Sequence, residues 1–223
     1  MLNKFSVLFL FISITSIFYS QVIVGGGFNS IGAVNIKQPY LGINLLGEYR
    51  NDDMAYFAKF YTTLPQNDSE TFIQMEPLNP EELINLQLNG SSRYNYNVLE
   101  FGKKNFYGED LDFGPAGYLS SHFSLIMNTL RLKTDEFDVS RYRFPDGYVD
   151  KARIYSLAAG INLGAQYAFF HGTYYLDFGL NYTLIANSSN SFNQMQQFSS
   201  FNSYRQLFFV FNLGFKKTIF YDF

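Results

Sequence analysis

His122 and Ser124 are the residues of this chain whose types and spacing could support nucleophilic catalysis. An imidazole can accept the proton of a nearby serine hydroxyl, and the activated oxygen can then attack an ester carbonyl. Residues two apart on a β-strand share a face, so one strand could present both side chains together. The chemistry would be ester hydrolysis, and a substrate would have to reach both groups.

A second group of residues has the types of a buried ionic network. We expect its members to face the interior of a barrel: Glu48, Arg50, Lys59, Asp112, His122, Asp177 and Lys216. Charges in a narrow interior must pair or stay hydrated. We therefore predict a wet, charged lumen plugged by ion pairs and water, with a proton or ion path as the alternative. The sequence has no cysteine, and His171 has no partner in sequence, so we expect no metal and no cofactor.

The elements that would position these side chains are strands, because apolar residues alternate with small or polar ones. In Tyr155–Phe169 the odd positions are apolar or aromatic residues, most of them large, whereas the even positions are small or polar. This is the period of a strand with two unlike faces. Both faces of the stretch 94–104 carry polar groups, so the alternation does not indicate which of its faces points into the barrel. Similar stretches, some weaker, are Val22–Phe28, Leu41–Arg50, Met54–Tyr61, Tyr94–Lys104, Leu111–Met127, Tyr174–Leu184 and Leu207–Phe215.

Short and long connections alternate along these eight stretches. The short ones are Asn51–Asp53, Tyr107–Asp110 and His171–Gly172, and the long ones are 29–38, 65–92, 128–151 and 187–204. Tight periplasmic turns and long outer loops are typical of outer-membrane barrels. We predict an all-β fold, an eight-stranded antiparallel up-and-down transmembrane β-barrel. Loops 65–92, 128–151 and 187–204 are the surfaces on which we expect protein partners.

The composition of the two faces favours an apolar face that points outward. Glycines such as Gly42, Gly160, Gly164 and Gly214 lie on the polar face. Small groups suit the inside of a tight barrel, whereas a surface in water more often carries Lys and Glu. Aromatic residues cluster beside the short turns, as in the girdle of a membrane barrel. A soluble barrel that buries its apolar face around a ligand is the alternative.

The N-terminus predicts export. Met1–Lys4 carries one positive charge, and Phe5–Phe18 is an apolar run too short for a stable membrane span. We predict a signal peptide over 1–20 and a barrel domain over 21–223, which excludes cytosolic enzymes. The net charge of -3 argues against a nucleic-acid partner.

Four short motifs add a family resemblance: Asn97–Lys104, Gly114–Ser121, Ala159–Gly164 and Tyr175–Tyr182. Together they resemble strands of the PorT-like outer-membrane barrels of the Bacteroidota. The resemblance implies an eight-stranded barrel in the cell outer membrane, surrounded by outer-membrane lipid and often of unassigned function. PorT itself belongs to the type IX secretion apparatus.

We expect this chain to be a non-enzyme with a structural or interaction role through its outer loops, or an accessory of a secretion or envelope complex. One alternative is a membrane-embedded lipid A acyl hydrolase that uses His122 and Ser124. The other is a secreted soluble barrel that binds an apolar ligand. The predicted strand phase points His122 and Ser124 into the lumen, away from lipid, which favours the non-catalytic role.

Overall fold

The computed structural model describes residues 20–33, 38–79, 86–145, 150–188 and 207–221. Its strands are β1 Ser20–Ala33, β2 Tyr40–Asn51, β3 Met54–Thr63, β4 Gln66–Gln74, β5 Glu76–Pro77, β6 Gln87–Tyr107, β7 Gly114–Thr134, β8 Tyr142–Arg143, β9 Lys151–Phe169, β10 Gly172–Ser188 and β11 Leu207–Tyr221. Apart from Ser20, which begins β1, the predicted signal peptide lies outside the described residues. In the part of the chain that is described, no helix is long and apolar enough to cross a membrane.

Eight strands close into an antiparallel barrel. Each of β1, β2, β3, β6, β7, β9, β10 and β11 pairs with the next, and β11 returns to β1. The seam between the first and last strands runs from Gln21 to Ala33. Closure pairs both edges of every barrel strand, as lipid requires. The predicted eight-stranded antiparallel barrel is confirmed.

The two ends of the barrel differ in their connections. Asp52-Asp53, Phe170-His171 and the turn 108–113 join strands at one end, which we name the short-turn end. Asp52 has φ 51°, in the left-handed region that tight hairpin turns use. β1 also begins at this end, because Ser20 pairs with Asn51. The opposite end, which carries the longer connections, is the long-loop end.

The predicted extents of loops 65–92 and 128–151 are wrong, because both ranges contain strands. β4 follows β3 after Leu64 and Pro65 and pairs with β6 beyond the part that β3 covers. β6 and β7 each run for 21 residues, about twice the length that a bilayer needs. We name the ranges 66–79, 87–94 and 129–143, which include β4, β5 and β8, the outer extension. The polar sequence of β4 has no alternation that would predict a strand. Of the predicted loop 187–204, residues 189–204 lie outside the described residues.

An apolar belt surrounds the barrel. Outward-facing Leu163 is 69% exposed, and Phe211 is exposed as well. On β9, the exposed residues from Tyr167 to Tyr155 span roughly 30 Å along the barrel axis, at about 3.3 Å per residue and a tilt of about 40°. This span matches a hydrocarbon core of about 30 Å. Lysines, carboxylates and asparagines are buried inside, so the chain is a transmembrane barrel of the outer-membrane type.

Candidate functional site

Six charged side chains form a lysine–carboxylate network in the half of the lumen nearest the short turns. Its first group centres on Glu48 of β2. Lys216 of β11 donates a hydrogen bond to Glu48 Oε2 at 2.6 Å, and Lys104 of β6 donates to Oε1. All three side chains are buried. One carboxylate is therefore shared by lysines from two strands that are remote in sequence.

The second group of the network centres on Asp177 of β10. Lys59 Nζ lies 3.0 Å from Asp177 Oδ2 and 3.8 Å from Glu100 Oε1. The Tyr118 hydroxyl donates to Asp177 Oδ2 at 3.0 Å, and Asn212 donates to Oδ1 at 2.6 Å. With three lysines and three carboxylates, the formal charges of the network cancel. Balanced, hydrogen-bonded charges are the form in which ions persist in a buried interior.

Aromatic rings line the same part of the lumen. Lys104 Nζ lies 5.0 Å from the ring centroid of Phe57 and 4.7 Å from that of Tyr118. Lys216 Nζ lies 5.3 Å from the ring of Phe106. At this range an ammonium is attracted to the face of a ring. The lysines are therefore held both by carboxylates and by rings.

Arg50 and Asp112 form an ion pair at the mouth of the short-turn end. Arg50 is buried, but the Asp112 side chain is 65% exposed. The expectation that Asp112 faces inward from a strand was wrong, because β7 begins at Gly114 and Asp112 belongs to the preceding turn. Arg50 also donates to Gln21 Oε1 at 2.7 Å and to the carbonyl oxygen of Leu111 at 3.2 Å. These contacts fasten the turn across the opening.

His122 and Ser124 both face the lumen and are buried. His122 Nε2 lies 2.7 Å from Asn181 Oδ1, and the Ser124 hydroxyl donates to the same oxygen at 3.4 Å. The two side chains are therefore directed at one shared acceptor oxygen, as members of a lumen hydrogen-bond network. Glu100 Oε2 lies 3.7 Å from Nε2. Lipid outside the wall cannot reach this pair, so the geometry gives the hydrolase alternative no support.

Sequence reasoning missed Glu100 and Lys104. The facing of stretch 94–104 stayed open because Asn95, Asn97 and Lys103 make its other face polar as well. In the structure, its even positions point inward and bury Glu100 and Lys104. Glu100 and Lys104 are an even number of residues apart, which puts their opposite charges on one face of the strand. This spacing is the sequence feature that could have identified the inward face.

Apolar side chains predominate in the half of the lumen nearest the long loops, together with buried polar side chains such as Asn128 and Ser156. This apolar plug consists of Ile31, Tyr40, Tyr61, Tyr94, Val98, Ile126, Leu130, Ile154, Ala158, Phe208 and Val210. The prediction of a charged interior is therefore wrong for this half. Several members lie beyond the ends of the predicted strands, so the sequence pattern does not assign their side chains to the lumen. The lumen thus has an ionic layer and a mainly apolar layer that also holds uncharged polar side chains.

Glycines in the wall make room for two tyrosines of the lumen. A Cβ atom on Gly164 would overlap the ring of Tyr118, and one on Gly214 would lie 2.6 Å from Cζ of Tyr175. Tyr175 reaches across to donate to Asn44 Oδ1 at 2.6 Å. Small residues on the inner face therefore match large ones on other strands.

The Gly164→Ala substitution should destabilise the barrel by about 1–3 kcal/mol, as overpacking of a filled interior does. The added methyl group would displace Tyr118 and weaken its hydrogen bond to Asp177. The matched control is Gly117→Ala, whose Cβ would lie 3.8 Å from the nearest atom. Urea titration of both variants in detergent micelles measures the difference, and equal midpoints would contradict this packing account.

The outer extension has a small core of its own. Met75, Leu88 and Tyr142 are buried together, and β5 pairs with β8 to join the two long connections. Glu76 and Arg143 add an ion pair at 2.9 Å across that pairing. In the turn before β8, the Ser140 hydroxyl and backbone N–H donate to Asp138 and lower its pKa. The extension is therefore an ordered structure beyond the apolar belt.

No group of three or more His, Cys, Asp or Glu side chains placed to hold a metal ion occurs among the residues that the structure describes. The lumen residues can hold charge and orient hydrogen bonds. Outside the lumen, the outer extension presents exposed apolar side chains such as Val139.

Solved structures similar to this chain include two bacterial proteins. The crystal structure of Neisserial surface protein A (NspA) has a TM-score of 0.46 and 11% identity, covering 90% of this chain and 97% of NspA. Ail, the attachment invasion locus protein of Yersinia pestis, has a TM-score of 0.42 and 12% identity, covering 89% of this chain and 97% of Ail. No family model and no curated protein matches the chain.

Proposed function

We propose that this chain, after removal of a signal peptide at 1–20, is a plugged outer-membrane barrel with a non-catalytic interaction role. The outer extension is the observation that carries the proposal. A barrel needs strands of about 10 residues to cross the membrane, yet β6 and β7 are each 21 residues long. The surplus adjoins β5 and β8, whose pairing holds the β4–β6 and β7–β9 connections together, and β10 ends at the same end of the barrel.

The resemblance to PorT-like barrels supports a finer proposal, that the chain is an accessory of a secretion or envelope complex of Bacteroidota. Outer-membrane lipid is then the surrounding medium, and the partner is a protein at the outer extension. The arrangement of His122 and Ser124 favours this role over lipid A hydrolysis, since both are enclosed by the wall.

We predict that the pure protein conducts no large, stable current in a planar bilayer. An eight-stranded barrel has an interior just wide enough for side chains to fill. Here the lysine–carboxylate network fills one half, and the apolar plug fills the other. Recordings at varied voltage check this expectation, and reproducible large conductance steps would contradict it.

Photo-crosslinking in native membranes tests the interaction role. Val139 on the outer extension is 74% exposed, and Phe170 at the short-turn end is 90% exposed, so a crosslinking residue can replace either. We expect position 139 to yield one discrete protein adduct that position 170 does not yield. Adducts that are absent, or the same at both positions, would overturn the role assigned to the outer extension.

A further inference from the structure

Five basic side chains lie together on the outside of the barrel at the long-loop end. Arg93 of β6 is the register partner of Arg131 of β7, and Arg131 is the partner of Lys151 of β9. We name these three exposed residues the basic row. Lys133 and Arg153 are exposed on neighbouring outward positions of β7 and β9. Three adjacent strands therefore present a continuous positive surface.

The like charges of the basic row repel one another, and a bound anion would relieve that repulsion. Directly opposed residues have Cα atoms about 4.5–5.5 Å apart, and like charges in such positions are destabilising. Arg93 Nε donates to the neutral Asn67 Oδ1 at 2.9 Å, which orients the guanidinium without neutralising it. For the other four cations, the described residues provide no ion pair. The chain as a whole has a net charge of -3, so a general excess of basic residues does not explain the cluster.

The height of the cluster on the wall indicates what covers it. Tyr155 marks the upper boundary of the apolar belt on β9, and Arg153 is the next outward residue. At about 3.3 Å per residue in a tilted strand, Arg153 lies roughly 5 Å beyond the hydrocarbon edge and Lys151 roughly 10 Å beyond it. The headgroup region extends about 5–7 Å beyond the hydrocarbon on each side, so Arg153 lies within it, and the long side chains of the basic row reach it from just above. The side chains point sideways into it from the wall.

We propose that the basic row binds the phosphate groups of phosphorylated glycolipids in the outer leaflet. The inference rests on the proposed outer-membrane placement and adds a specific lipid site to it. Arginine forks bind phosphate oxygens in pairs, and a lysine between or beside them adds a point charge. A lipid whose acyl chains lie along the belt brings its headgroup phosphates to these cations.

The test is a binding titration of the full chain, folded in zwitterionic detergent micelles, with diphosphorylated lipid A. Native mass spectrometry counts the bound lipid. The test variant is Arg131→Gln/Lys151→Gln. The matched control is Lys103→Gln/Lys217→Gln, which removes two outward lysines at the short-turn end. A basic residue near an anionic surface contributes about fivefold in affinity, so we expect about 25-fold weaker binding for the test variant. The control should keep the affinity of the unmodified chain.

Two further arms separate the sources of phosphate. Removing the phosphates from the lipid should weaken its binding to the level of the test variant, and inorganic phosphate should not displace it. Equal loss in test and control variants, tight binding of the dephosphorylated lipid, or displacement by inorganic phosphate would each overturn the inference. If the unmodified chain stays soluble without detergent, the outer-membrane placement itself fails. If the chain requires detergent but both variants bind alike, only the lipid site fails.

Discussion

Glu48→Gln should destabilise the barrel by about 3–5 kcal/mol, the usual cost of breaking a buried ion pair by removing one partner. Glutamine keeps the size of the side chain but leaves Lys104 and Lys216, both fully buried, without the carboxylate that they share. The chain contains no tryptophan, so urea unfolding in micelles is best followed by circular dichroism. The heat-modifiable migration of a folded barrel on gels provides a second measure.

The control for this prediction is Glu136→Gln, on an exposed residue of the connection between β7 and β8. A second variant, Glu48→Gln/Lys216→Met, removes one of the two lysines that lose their carboxylate partner, and it should recover part of the lost stability. If Glu48→Gln unfolds at the same urea concentration as Glu136→Gln, the network does not contribute to stability as described.

Ile161→Lys should destabilise the inserted barrel by about 2–4 kcal/mol, the range found for a charge at the bilayer midplane on the lipid-facing side. Ile161 is 55% exposed and lies on β9 midway between Tyr155 and Tyr167. Its substitution therefore puts an ammonium in the middle of the hydrocarbon. Folding into phosphatidylcholine bilayers, followed by urea titration, measures the difference.

The matched control is Val139→Lys, the same kind of change on an exposed residue beyond the belt, which should shift stability by no more than about 0.5 kcal/mol. The comparison also distinguishes a membrane barrel from a soluble one. In a soluble barrel Ile161 already faces water, so lysine there would be as harmless as at position 139. Equal stabilities in the presence of lipid would rule out the membrane placement.

The sequence was sufficient to predict the barrel, because side-chain facing in a strand has a period of two and turn lengths alternate. The same period explains why Lys59 and Asp177 occupy inward positions. It does not indicate which residues meet. Lys59 of β3 contacts Asp177 of β10 across the lumen, and that contact depends on the register of the closed ring.

Other features carry too weak a local signal to be predicted. The sequence predicts Asp112 in a strand, but β7 begins only at Gly114, whose φ of 107° lies in the left-handed region. The apolar plug arises where inward positions such as Ile154 continue the strands beyond the membrane pattern. The outer extension depends on pairing between polar segments. Nothing in the sequence of β4 or β6 identifies that pairing before the neighbouring strands are in place.

The lysine–carboxylate network draws its members from five strands, and the last of these is β11. Until β11 has docked, Glu48 lacks Lys216 and Asp177 lacks Asn212. An open intermediate would expose incompletely compensated ions to lipid, at a cost that rises sharply with loss of hydration. We therefore expect membrane insertion of the barrel and pairing of β11 with β1 to occur in one concerted event, which the docking of β11 completes.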